Sequence, residues 1–282
     1  MRDLYPHADR LFAFIRERHA IWERRNKGLP KPWTEDPILQ SYRFCNVYRE
    51  LDKETTWIRK NWRNDSDPDN WFAMVVARLI NWSPTLEVVG YPVPWRPSTF
   101  LRRIQALEDK GVKVWGGAYI VSTNGAKQPK AEYLTEQVLT PLWNARKEIR
   151  PRPDDTLEAF YDRLRRFRGM GSFIAAQVVA DAKFVAPLTQ APDWESFAAS
   201  GPGSRRGLAR VMGMPDIRAS WPERLWRERL SGLKVIIDQK VKEAGMPIIT
   251  GQDLQNCLCE FDKYERVRLG QGRPKAKYPG KE

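Results

Sequence analysis

LRRFRGMGSFIAAQVVADAKF, residues 164–184, is the stretch whose reading decides the fold class. A helix-forming run reaches Arg168, Gly169-Met170-Gly171 interrupts it, and an Ala-rich run resumes at Ser172. Two glycines spaced by one residue allow a tight turn whose backbone N–H groups approach an anion closely, and the N-terminus of the next helix adds partial positive charge. Ala175, Ala176 and Ala180 leave that second helix slim enough to pack closely on a neighbour. The plain alternative is a helix corner with a glycine cap.

Working outward, the same helical spacing recurs along most of the chain. Residues 8–25 place Leu11, Phe12, Ile15, His19 and Trp22 near 3.6-residue spacing. Proline and glycine break the pattern over 26–37, and a second helix is expected over 38–60. A third, over 70–82, is apolar all round and reads as buried. A fourth is expected after Ser98, as cap, and stops at Gly111. Further helices are expected at 130–147, 154–166, 172–184, 205–212 and 222–244. Only VKVWGGAYIV, residues 112–121, has strand character, as a short hairpin or loop. The expected fold is therefore all-α. The turn at 164–184 resembles the helix-hairpin-helix element (about 156–184) of DNA repair glycosylases, which implies a DNA-glycosylase-like helical domain over 1–265. RVRLGQGRPKAKYPGKE, residues 266–282, reads as a basic, flexible tail.

Composition narrows the partner. The 282 residues carry 48 Lys and Arg against 35 Asp and Glu, a net charge of +13, and twelve tryptophans. Such an excess favours a polyanion, and so many aromatics exclude a disordered chain. No run approaches the ~18 apolar residues of a membrane helix. Three cysteines, Cys45, Cys257 and Cys259, suit a reducing cytoplasm, and the chain has only two histidines. No metal or other cofactor is expected, nor any membrane partner.

Four further segments carry candidate chemistry. Glycosylases of the resembled type place an essential aspartate about twenty residues beyond the hairpin, where TQAPDWESF puts Asp193; an N-cap or a surface acid is the competing reading. The position of their Schiff-base lysine is Phe173 here, so a lyase step is not expected. SGPGSRRGL, residues 200–208, joins Gly201, Gly203 and Ser204 to Arg205 and Arg206 as a credible anion cradle. It is not a phosphate-binding loop of the G-x-x-x-x-G-K-[ST] kind, which the chain lacks. YRFCNVYRELD, residues 42–52, read as one helix, puts Cys45, Arg49 and Asp52 on a face, with Asn46 beside Arg49; an intrahelical ion pair is the plain reading. Lys127 and Lys130 close a polar loop, where solvated lysines are the default.

Taken in order, RFCNVYRELDKETTWI, WFAMVVARLINW, AYIVSTNG with Lys130, the RGMG turn and Asp193 with GPGSRRGL resemble a phage family, the alpha-glutamyl/putrescinyl thymine pyrophosphorylases. These are relatives of the helical domain attached to 5-hydroxymethyluracil DNA kinases. The likeness spans roughly residues 10–265, and RF-x-N-x-YR-x-x-D and GPGS-x-x-GL are its most specific pieces. It implies a transferase, working in the host cytoplasm, on DNA that carries a 5-(pyrophosphoryloxymethyl) thymine analogue. An amino acid or a polyamine such as putrescine displaces pyrophosphate. On that resemblance Asp193 steadies the reacting methylene or accepts the amine's proton, and Arg49 and Asp52 hold the amine substrate. Gly201, Gly203, Ser204, Arg205, Arg206 and Lys130 take the pyrophosphate. Arg168, Gly169, Gly171 and Ser172 hold DNA, while Asn46, Asn81 and Trp194 line a pocket for a flipped base. A monofunctional DNA glycosylase and a non-catalytic helix-hairpin-helix DNA-binding protein are the alternatives.

Overall fold

The computed structural model describes residues 2–117, 123, 125–218, 221–272 and 274. The chain forms two compact units: residues 1–52 with 195–282, and residues 53–194. Helices α1 (Ala8–Asn26) and α2 (Pro37–Ser41) open the first unit. The second unit holds α3 (Lys53–Asn61), α4 (Asn70–Ile80), α5 (Ser83–Val89) and α6 (Pro97–Asp109). It continues through α7 (Lys130–Tyr133), α8 (Thr140–Asn144), α9 (Arg146–Ile149), α10 (Leu157–Arg165) and α11 (Ser172–Ala182). The chain then returns to the first unit with α12 (Pro202–Val211), α13 (Glu223–Glu243) and α14 (Gly251–Arg268). Among the described residues every regular element is helical, as the spacing implies.

In the 53–194 unit, α4 is buried along its whole length and packs on α11, which in turn meets α10. Apolar surface all round suits a helix enclosed by neighbours. A buried ion pair joins the two: Arg78 Nη2 donates to Asp181 Oδ1 at 2.7 Å, and a second Arg78 N–H reaches the other oxygen. Thr55 Oγ1 and Asn81 Oδ1 accept two further Arg78 donors, at 2.8 and 3.2 Å. A charge taken out of water needs this degree of pairing. The other unit has its own core, in which Leu11 and Ile15 of α1, Leu208 of α12, Trp226 and Leu233 of α13, and Leu258 and Phe261 of α14 are all buried.

Several expectations are corrected. Residues 38–60 are not one helix: α2 stops at Ser41, the chain runs irregularly to Tyr48, makes a single 3-10 turn at Arg49–Leu51, and becomes helical again at Lys53. The shared helical face of Cys45, Arg49 and Asp52 therefore does not exist. Ser98 lies inside the first turn of α6, which starts at Pro97 with Arg96 as N-cap; proline, with no N–H to leave unpaired, is well placed there. Residues 112–117 of the expected hairpin form no strand, and 118–121 lie outside the described residues. No element was expected over 245–265, yet α14 occupies it from Gly251 onward. Its start carries a legible signal, because Thr250 and Asp253 cap each other's backbone N–H groups. The helix runs on to Arg268, three residues into the expected tail, most of which lies outside the described residues.

Candidate nucleic-acid interface

The turn at 166–172 is built as the sequence implies. α10 stops after Arg165, Met170 N–H bonds to Phe167 C=O at 3.1 Å, and Gly169 adopts φ +79°, a conformation that side chains resist. A Cβ at Gly169 would also strike the Val138 side chain. Met170 is buried as the plug of the turn, whereas Gly171, Ser172 and Phe173 face solvent. α11 begins at Ser172 with Gly171 as N-cap and no side-chain cap. Three exposed arginines, Arg165, Arg166 and Arg168, stand on the approach. Arg165 lies over the Tyr161 ring and Arg168 over Tyr133, at 5.3 and 5.5 Å. Contact with a ring holds a guanidinium head without neutralising it. An exposed, uncapped helix N-terminus beside three arginines is an arrangement suited to phosphate.

The other candidates have structural tasks. Asp193 closes the start of α10: its Oδ1 accepts Leu157 N–H at 2.7 Å and Oδ2 accepts Glu158 N–H at 3.1 Å, while Thr156 caps Ala159 N–H. This is the capping reading of Asp193. Trp194 donates Nε1–H to Lys183 C=O at 2.8 Å, with the Lys183 ammonium 4.2 Å over its ring. Asn81 ends α4 in the left-handed region, φ +47°, and its side chain is turned to Arg78. Lys130 opens α7 and lies 4.3 Å over the Trp115 ring; burial holds its ammonium below the ordinary lysine range, with Glu108 opposing.

In the other unit, the two most specific sequence pieces meet on opposite flanks of α14. GPGSRRGL forms α12, which crosses α14 closely. A Cβ at Gly203 would strike Cys259 Sγ, and one at Gly207 the Leu258 carbonyl. The glycines are spaced four apart on the contact face, and close helix approach is their task. Ser204 is fully buried, its Oγ accepting Gly201 N–H at 2.9 Å. Arg205 bonds Glu223 at 2.7 Å, Ser200 Oγ at 2.7 Å and the Trp221 carbonyl. Arg206 and Arg210 each donate to the buried Asp262 at 2.9 Å. The supposed cradle thus arrives with its cations already paired.

The 43–52 loop is laced to the opposite face of α14. Cys45 N–H reaches Glu260 Oε2 at 2.9 Å, Asn256 Nδ2 reaches Asn46 C=O at 3.2 Å, and Arg49 N–H reaches Asp253 Oδ1 at 3.1 Å. Asn46 is the knot. Its Oδ1 accepts Arg18 Nη2 at 2.7 Å, and its Nδ2 donates to Leu51 C=O and Asp52 Oδ1 at 2.9 and 3.0 Å. Asp52 also accepts Asn46 N–H at 3.1 Å. Asn46, expected at a base pocket, here latches the loop through these bonds. Pockets of about 240 and 410 Å³ lie at Tyr91–Arg103 and at Trp33–Asp36, and neither is lined by a sequence-predicted site residue. Among the described residues no helix is long and apolar enough to cross a membrane.

Among the described residues the chain is all-helical, with an exposed hairpin flanked by three arginines, and the class these features define is that of an all-helical domain. The chain matches the family described as "5-hmdU DNA kinase, helical domain" over residues 5–273, and belongs to it. It is 28% identical over 230 residues to a protein named 5-hmdU DNA kinase from Bacillus phage SP10. That alignment covers 72% of this chain but 36% of the relative, so the chain spans about a third of the relative's length. No solved structure matches.

Proposed function

We propose that this chain is a DNA-modifying enzyme of phage thymine hypermodification, acting on 5-(pyrophosphoryloxymethyl)uracil in DNA. An amine nitrogen attacks the methylene carbon, the carbon–oxygen bond breaks, and pyrophosphate leaves with the electron pair. The ammonium so formed loses a proton to give the substituted thymine. The observation that carries this reading is the family match along nearly the whole chain. The relative's printed name places it on the hydroxymethyl base.

The exposed hairpin from Arg165 to Phe173 supports DNA as the substrate's carrier, with Gly171 and Ser172 at a phosphate and the arginines along the backbone. For Arg205 and Arg206 to take pyrophosphate, they would exchange Glu223 and Asp262 for the incoming anion. A second reading, a DNA-binding module without transfer chemistry, draws support from those same pairings and from the capping role of Asp193. The test is nucleoside mass spectrometry after incubating the protein, DNA bearing the activated base and a pool of amines, with released pyrophosphate assayed alongside. A mass-shifted thymidine with equimolar pyrophosphate is expected. Free base or abasic sites would favour a glycosylase, and bound but unaltered DNA would overturn the transferase in favour of the binding module.

A further inference from the structure

Four segments of the 53–194 unit come together at two tryptophans. Gly116 N–H bonds to Ile80 C=O at 2.8 Å and Thr85 Oγ1 to Val114 C=O at 2.8 Å, so residues 113–116 run beside the α4–α5 corner. Ser83 N–H bonds to Glu54 Oε2 at 2.6 Å, which brings in the start of α3. The outcome is that Lys113 Nζ lies 3.8 Å and Lys53 Nζ 5.5 Å from the Trp82 ring centre, with Lys130 over Trp115. Both tryptophans are half-buried, while Lys53 and Lys113 are exposed. Half-burial fixes a ring and leaves part of it open. Glu54 is occupied by the Ser83 N–H, and Glu108 is the carboxylate that acts on Lys130.

From this juxtaposition we infer that Trp82 and Trp115, with Lys53, Lys113 and Lys130, form a stacking platform for unpaired nucleobases of a single DNA strand. Indole faces accept any base, and ammonium groups beside them meet the phosphates on either side. The lysines now over the rings sit on flexible stems and move to the backbone when a base takes the face. That the strand is DNA rests on the proposed function; the stacking face does not. An enzyme that works on a base outside the stack gains from such a surface, since unpaired substrate costs less to present.

Fluorescence anisotropy with labelled dT12 tests this, in the absence of activated base and amine so that transfer chemistry plays no part. Trp82→Ala and Trp115→Ala should each weaken dT12 binding about tenfold, within the range known for loss of one base–aromatic stack, while a 12-bp duplex is held as before. Trp82→Phe and Trp115→Phe keep an aromatic face and should retain most of the affinity, which separates stacking from a loss of fold. Lys113→Gln should flatten the salt dependence by about 0.7 in slope. Unchanged dT12 affinity in folded alanine variants, or equal losses for dT12 and duplex, would overturn the platform and leave the proposed transfer untouched.

Discussion

One methyl group at Gly207 would drive a Cβ into the carbonyl oxygen of Leu258, whereas at Gly201 the nearest heavy atom, Gln255 Nε2, stands 4.0 Å away. A backbone carbonyl within a helix cannot swing aside, so α12 must lift off α14. Gly207→Ala should therefore cost about 1–3 kcal/mol or more, seen as a lowered thermal midpoint, while Gly201→Ala should melt close to the parent. An anion cradle would give the reverse ranking in a pyrophosphate-binding assay. In sequence, GPGSRRGL is legible as a special backbone but not as to which neighbour needs the glycines; that depends on α14, some fifty residues later. Glu223 makes a second residue-scale case. Burial alone would raise its carboxyl, but hydrogen bonds from Ser200, with Arg227 and Arg205 beside it, outweigh burial and hold it below the ordinary value of 4.5. Its contribution to stability is present above about pH 4.5 and is lost as pH falls through the lowered folded value. Glu223→Gln should consequently flatten the acid limb of a denaturation-midpoint-against-pH curve and lower the midpoint at neutral pH.

At the level of elements, the hairpin was the most legible feature, because local chemistry alone builds it. Gly169 needs no distant partner to turn the chain, and the expected helices on either side fall at Leu157–Arg165 and Ser172–Ala182. If this turn meets duplex DNA, Arg165→Gln, Arg166→Gln and Arg168→Gln should each lower the slope of log affinity against log salt by about 0.9. Gly169→Val should weaken binding more than any one of them, since φ +79° and the Val138 contact both forbid it. A duplex titration at four salt concentrations decides it; unaltered slopes in all three arginine variants would remove the hairpin from the interface. The 38–60 region failed for the opposite reason. Its helical spacing is real, but Asn46, with Arg18, Leu51 and Asp52 as partners, bonds more to its surroundings as an irregular loop than a helix would allow. Nothing local reveals that Arg18 lies 28 residues upstream in sequence and in contact.

Over the molecule as a whole, the charge of +13 says less than where the cations are unspent. Arg206, Arg210 and Arg266 surround Asp262, and Arg146 and Arg150 share Asp69, so these five are anchored on two acids within the fold. Composition could announce a polyanionic partner but not which arginines are free to meet it. The unit that joins residues 1–52 to 195–282 has a consequence in time. On the ribosome, α1 emerges with Leu11, Ile15 and Arg18 unburied, and its partners α12, α13 and α14 follow roughly 190–240 residues later. At ~5–20 residues per second that is a wait of roughly 10–50 s. Residues 53–194 form a compact unit whose whole length has been made once Trp194 is reached. A chain ended before Thr250 should then yield, under limited proteolysis, a protected fragment near 53–194 and a digested N-terminal arm. For a protein so arranged, the helices that follow residue 194 are the ones that rescue the first from chaperones and proteases.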